Sequence, residues 1–134
     1  MKYLLDANTC IDLLRRGRAS RVTVKLAAAN QADVVLCSVV IGELLFGARR
    51  SQQVAKNLAE VRAFCAGFGS LPFEDAAAEQ YAEIRADLAV KGTPIGPNDL
   101  MIAAIARTHG LILVTHNVSE FSRVAGLTVE DWQA

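Results

Sequence analysis

Cysteine is scarce in this chain. Only Cys10, Cys37 and Cys65 occur, an odd number with no close-spaced pair. That excludes a disulfide framework and a clustered zinc site, and leaves reduced thiols buried among apolar neighbours. Long apolar runs are missing too: no stretch approaches the roughly 20 residues of a membrane span. The apolar start is interrupted at once by Asp6, so no cleaved leader and no membrane anchor are expected, and a cytoplasmic location is. Net charge is absent as well, 14 Lys and Arg facing 14 Asp and Glu. The balance is local, however. Residues 1–62 hold ten basic and five acidic residues, hence +5, and residues 63–134 hold four and nine, hence −5. A basic half leaves phosphate binding open where the total does not suggest it. No repeat, linker or low-complexity tract divides the 134 residues, so residues 1–134 read as a single domain, long enough to bury a core of its own.

What is present alternates. Lys2–Leu5, Val34–Cys37, Leu71–Phe73, Leu111–Val114 and Leu127–Val129 read as short strands. Between them Ala77, Tyr81, Ile84 and Leu88 recur at helical spacing, and Val22, Leu26 and Ala29 do so more weakly. Residues 39–50 and 99–108 are apolar nearly all round, the mark of helices inside the fold. Gly67 and Gly69 punctuate one turn, and Gly92, Pro94, Gly96 and Pro97 another. Such alternation predicts an α/β fold, a parallel sheet with helices on both faces.

Most acids have plain explanations. Asp75, Glu79, Glu83 and Asp87 mark the wet side of an amphipathic helix, and Asp12 stands three residues after Thr9, a capping-box spacing. Three acids differ. Asp6 closes the first strand, Glu43 is the lone charge in Val39–Ala48, and Asp99 opens the apolar helix that leads to the fourth strand. An ionised carboxylate in an apolar setting needs a partner, and no Lys or Arg lies within five residues of Glu43 or Asp99. In a parallel sheet Asp6 and Glu43 reach the carboxyl edge, where such sheets place their ligands. Three carboxylates meeting there would repel one another without a cation between them, and oxygen ligands without His or Cys suit Mg²⁺ or Mn²⁺. Each acid also has a local alternative: Asp6 as a helix cap, Asp99 as a favourable charge at a helix N-terminus, Glu43 in a distant ion pair. Asn8 either supports Asp6 or caps the next helix. His116 reads as a loop residue and His109 as a helix end before Gly110.

These segments resemble a known family. Leu4-Leu5-Asp6-Ala7-Asn8, Ser38 through Glu43-Leu44, Gly96-Pro97-Asn98-Asp99-Leu100-Met101-Ile102-Ala103, and Val114-Thr115-His116-Asn117 followed by Glu120-Phe121 are similar, in order, to the signature blocks of VapC toxins, and Asp131-Trp132 fits the same pattern. VapC toxins are PIN-domain ribonucleases of bacterial toxin–antitoxin pairs. The resemblance implies a five-stranded parallel α/β/α sandwich and Mg²⁺- or Mn²⁺-dependent RNA cleavage, with tRNA the usual substrate class. It also implies a VapB-type antitoxin, a homodimer that builds a larger assembly with it, and DNA contact only through that antitoxin. Asp6, Glu43 and Asp99 carry over as metal-binding acids, with Asn8, Ser38 and Thr115 in support. Asn117 stands where many relatives carry a fourth acid. Glu120, three residues on, would share its face on a helical turn and could complete the set. Water would then be the nucleophile, leaving 5′-phosphate and 3′-OH ends. Arg15, Arg16, Arg18, Arg21, Arg49 and Arg50 are candidate phosphate contacts. Two rivals stand beside this reading. One is a phosphatase using Asp6 as nucleophile; it lacks a second acid at position 8. The other is a binding module that only docks an antitoxin and needs no carboxylates.

Overall fold

A computed structural model describes residues 1–134. Its element order is β1 (Tyr3–Leu5), α1 (Ala7–Arg16), α2 (Arg21–Ala28), β2 (Val34–Cys37), α3 (Ser38–Arg49), α4 (Val54–Cys65), β3 (Gly69–Leu71), α5 (Asp75–Lys91), α6 (Pro97–Thr108), β4 (Ile112–Val114), α7 (Val118–Phe121) and β5 (Thr128–Glu130). All five strands are parallel, in the order β3-β2-β1-β4-β5. The chain winds outward from β1 to β2 and β3 and then crosses to β4 on the other side. The strand order therefore reverses at β1, and the crevice at the carboxyl ends of β1 and β4 is the fold's natural ligand position.

The central strands have no polar face, because helices cover the sheet on both sides. Leu4, Leu5 and all of Val34–Cys37 are buried. One contiguous core joins them to Ile84 and Leu88 of α5, Ile102–Ala106 of α6, and Phe121 and Trp132. α6 is buried on nearly every side, as its composition predicts. α5 ends at Gly92, whose φ of 70° lets Thr93 N–H reach back to the Leu88 carbonyl at 3.0 Å; a side chain there would strain the left-handed turn.

Several expectations need correction. The third strand is Gly69–Leu71, not Leu71–Phe73. Pro72 has no N–H for the ladder, so pairing stops before it, and Gly69 and Ser70 supply little apolar signal on an edge. The fifth strand runs Thr128–Glu130, one residue late, because Leu127 N–H is still closing a turn onto the Val124 carbonyl at 3.4 Å. α4 went unanticipated. α3 is not interior all round: Gly42, Phe46 and Gly47 face out, Phe46 at 61% exposure. The Thr9–Asp12 capping box does not form. α1 already starts at Ala7 with Asp6 as its cap, and Asp12 instead accepts from Ser20 Oγ at 2.5 Å. Asn8 lies inside α1 and caps nothing. Cys65 is only partly buried, unlike Cys10 and Cys37, and all three are free thiols.

Candidate functional site

Short connections bring the acids to one edge. A single residue separates β1 from α1, and that residue is Asp6. Its Oδ1 accepts Thr9 N–H at 2.8 Å and its Oδ2 accepts the Thr115 hydroxyl at 2.5 Å. Asp6 N–H in turn donates to the Val114 carbonyl at 3.0 Å, continuing the β1–β4 register. The cap and the site are thus the same carboxylate. Asp6 is buried, and burial raises its pKa although both hydrogen bonds and the Thr9 hydroxyl pull the other way; the charge of Asp131 raises it further.

β2 passes into α3 without a loop, so Glu43 comes one and a half turns above the sheet edge. It is half-buried, and its Oε1 is fully buried with no hydrogen-bond partner. A buried acceptor left this way costs roughly 1–3 kcal/mol, more when charged. Burial raises its pKa, and Asp6 adds to the rise. Asp99 occupies the third position of α6, after Gly96 and Pro97 at the helix start. A carboxylate at a helix N-terminus should be stabilised as the anion. Here the opposite wins: burial, then Glu120, Glu43 and Asp6, push Asp99 up to about 6. Glu120 sits on α7, anchored by the buried Phe121, with one oxygen against the Asn117 amide and the other accepting Gly96 N–H at 3.4 Å.

Four carboxylates therefore feel one another at this edge, but no three close into a ready cage for an ion, as mutual repulsion dictates. The donor set fits a hard divalent cation: all oxygen, no His or Cys, one orphaned buried acceptor, and three acids whose ionisation is disfavoured until a positive charge arrives. Both oxygens of Asp6 already accept hydrogen bonds, which blunts it as a phosphatase nucleophile.

Thr115 is fully buried, donates its hydroxyl hydrogen bond to Asp6 and accepts Asn117 N–H at 3.0 Å. Asn8 is exposed beside Asn117 at the mouth of a cleft of about 450 Å³, which Arg15 and Arg16 also line. Arg15 borders as well a groove of about 240 Å³ running past Leu14, Glu43, Leu44 and Val61. Ser38 is exposed and forms no side-chain hydrogen bond to any acid. Arg18, Arg21 and Arg49 are exposed and line neither space, and Arg50 lies over the Phe46 ring at 5.3 Å. Asp131, which enters the sequence pattern only through the closing Asp131-Trp132, has a definite partner in the fold. Its carboxylate meets His116 Nδ1 at 3.0 Å, because the pairing of Val114 with Glu130 sets the residues after β4 and β5 level. An acid just past a strand's carboxyl end was the available signal.

The family model described as PIN domain matches residues 3–127. The tRNA(fMet)-specific endonuclease VapC of Shigella flexneri is 44% identical over 133 residues, 98% of either chain. Among solved structures, a chain of DNA-bound VapBC from Salmonella typhimurium superposes with a TM-score of 0.93 at 38% identity, covering 98% of each chain. One of VapBC2 from Rickettsia felis bound to a DNA fragment from their promoter gives 0.87 at 30% identity, over 98% of this chain and 99% of that one.

Proposed function

The chain belongs to the PIN-domain family, and from that membership together with its acid cluster we infer that it is the toxin of a VapBC-type pair, a divalent-metal-dependent endoribonuclease acting on tRNA. The observation that carries this is the buried, unpartnered Oε1 of Glu43 within a group of mutually destabilised carboxylates. Asp6, Glu43, Asp99 and Glu120 would hold Mg²⁺ or Mn²⁺, the ions that hard oxygen donors favour. When bound, such an ion supplies Lewis acidity, lowering the pKa of water and offsetting charge on the phosphoryl oxygens.

The protein's own groups do the positioning. Thr9 N–H and the Thr115 hydroxyl fix both oxygens of Asp6. Asn117 and Gly96 N–H orient Glu120. Attack by water, not by the 2′-OH, would leave 5′-phosphate and 3′-OH ends. The antitoxin would lay an apolar helical face into the groove beside Leu14, Leu44 and Val61 and aim a basic side chain at Glu43. A homodimer, a larger assembly with the antitoxin, contact with DNA only through that partner and a cytoplasmic setting complete the reading. Residues 1–134 act as one catalytic unit. No helix is long and apolar enough to cross a membrane.

The test is incubation of the purified chain with bulk tRNA, with Mg²⁺, with Mn²⁺ and with chelator, followed by chemical mapping of the ends. Discrete cuts with 5′-phosphates that need the metal are expected. Intact tRNA under all three conditions sinks the proposal.

A further inference from the structure

The polar cleft beside the acid cluster is lined by none of the four site acids. It opens between the length of α1 and the loop after β4. Asn8 is two residues from Asp6, and His116 adjoins Thr115, which bonds Asp6. Asp131, which grips the His116 ring, is close enough to raise the pKa of Asp6. The cleft therefore borders the place where a scissile phosphate would sit.

Its lining is unlike an apolar ligand pocket. Ile11 is the one hydrophobic member; the others include Asn8, Arg15, Arg16, His116, Asn117 and Gln133. At about 450 Å³ it falls within the roughly 300–1,000 Å³ of small-ligand sites. The single lining acid, Asp12, is already held by the Ser20 hydroxyl at 2.5 Å and by Arg16 at 3.6 Å. Arg15 has no such partner, and it stands on the ridge between this cleft and the groove that reaches Glu43. Its contrast is Arg107, tied to Gln80, Glu83 and the Ala125 carbonyl. The His116 ring is well exposed yet fixed in orientation by Asp131, whose other oxygen accepts Gln133 N–H at 2.9 Å. The amides of Asn8 and Gln133 each offer a donor and an acceptor, as a base edge requires.

We propose that this cleft seats one unstacked nucleotide of the RNA flanking the cut, with Arg15 on its phosphate, the His116 ring against its base, and Asn8 and Gln133 at the base edge. Unpaired bases splayed onto a ring and bonded at their edges are the general mode of sequence-specific RNA recognition. The proposal rests on the nuclease reading and adds to it a source of site preference. Asp131 is a positioning residue that acts through His116.

The experiment compares wild type with Arg15→Ala, Asn8→Ala, His116→Ala and Asp131→Asn on tRNA, reading kcat and KM separately and sequencing the cut ends. Each replacement is at the surface or conservative. KM should rise about tenfold in each, with kcat little changed in Arg15→Ala and His116→Ala, the pattern of lost substrate binding. His116→Ala, Asp131→Asn and Asn8→Ala should also spread cleavage over more sites, whereas Arg15→Ala should weaken all sites alike, since phosphate contacts carry no sequence information. Lys25→Ala, an exposed cation of α2 that lines neither the cleft nor the groove, should match wild type. Unchanged KM and unchanged cut positions in the cleft variants, with an active wild type, overturn the proposal. If wild type cuts nothing, the nuclease reading fails, and the cleft is judged by anisotropy of a labelled single-stranded RNA of about 12 nucleotides in chelator. Weaker binding by Arg15→Ala and His116→Ala then supports the cleft, and equal binding overturns it.

Discussion

The two sides of the acid cluster are built differently. On the β1–β4 side, Asp6 is satisfied: it caps a helix, receives a backbone N–H and a buried hydroxyl, and belongs to the sheet register. On the α3–α6 side, Glu43 has an orphaned buried oxygen, and Asp99 is pushed up to about 6 by burial and then by its acidic neighbours. One side is structure as well as site. The other is held by its surroundings in a condition that a proton or a cation relieves. Stability and activity should therefore part company between them.

The largest effect should come from removing the charges. Asp6→Asn, Glu43→Gln and Asp99→Asn should each cut RNA cleavage by about 10²–10³-fold or more, the scale of losing one electrostatic stabiliser. Melting in chelator should separate them. Asp99→Asn and Glu43→Gln should be as stable as wild type or more so, since each removes a repelled charge. Asp6→Ala should lose about 1–2 kcal/mol as a helix cap. Full activity in Asp99→Asn would break the comparison.

Next comes Thr115→Val, which removes the hydroxyl that fixes Asp6. Activity or metal affinity should fall roughly ten- to hundredfold, stability should drop by about 1–3 kcal/mol from the polar groups left unpaired, and Thr115→Ser should restore most of both. A smaller effect is expected at the fourth acid. Glu120→Gln should raise the half-saturating Mg²⁺ in a cleavage titration, and Asn117→Ala should do so less, because the amide only orients Glu120. An unchanged metal curve for Glu120→Gln would remove it from the site.

The smallest effect is on pH. Asp99 is raised in the folded chain from an ordinary value of 3.8 to about 6. Between those values the folded state holds a proton that the unfolded state has released, so metal-free stability from this group is complete below about 4 and is lost as pH rises through 6. The stability advantage of Asp99→Asn over wild type in chelator should thus grow from pH 4 to 7 and shrink when Mg²⁺ is added. An advantage that stays flat across this range contradicts the coupling.

Asp6, Glu43 and Asp99 were visible in the sequence because an acid alone in an apolar run is anomalous without any structure. The central strands and α6 were visible because burial on both faces leaves continuous apolar runs. α4 was not, although Val54, Leu58, Val61 and Cys65 recur at helical spacing; its other positions are mostly alanine and charge, which blur the stripe. β3 was misplaced because an edge strand of Gly and Ser has little to announce it. Asp131 was out of reach for another reason. Its meaning depends on which residue faces it across β4 and β5, and register is a property of the sheet, not of either segment.

The bond between Thr115 and Asp6 joins residues 109 apart in sequence. β1 lies at the centre of the sheet, and its neighbour on the β4 side is made last but one among the strands. During synthesis, the amino-terminal part of the chain can pair β1 with β2 but cannot complete the pocket around Asp6 until Thr115 has cleared the ribosome. Contacts of such long range form late in any case. Closure of the Asp6 pocket therefore waits on the β1–β4 pairing, and the acid edge is completed after the β1–β2 half of the sheet.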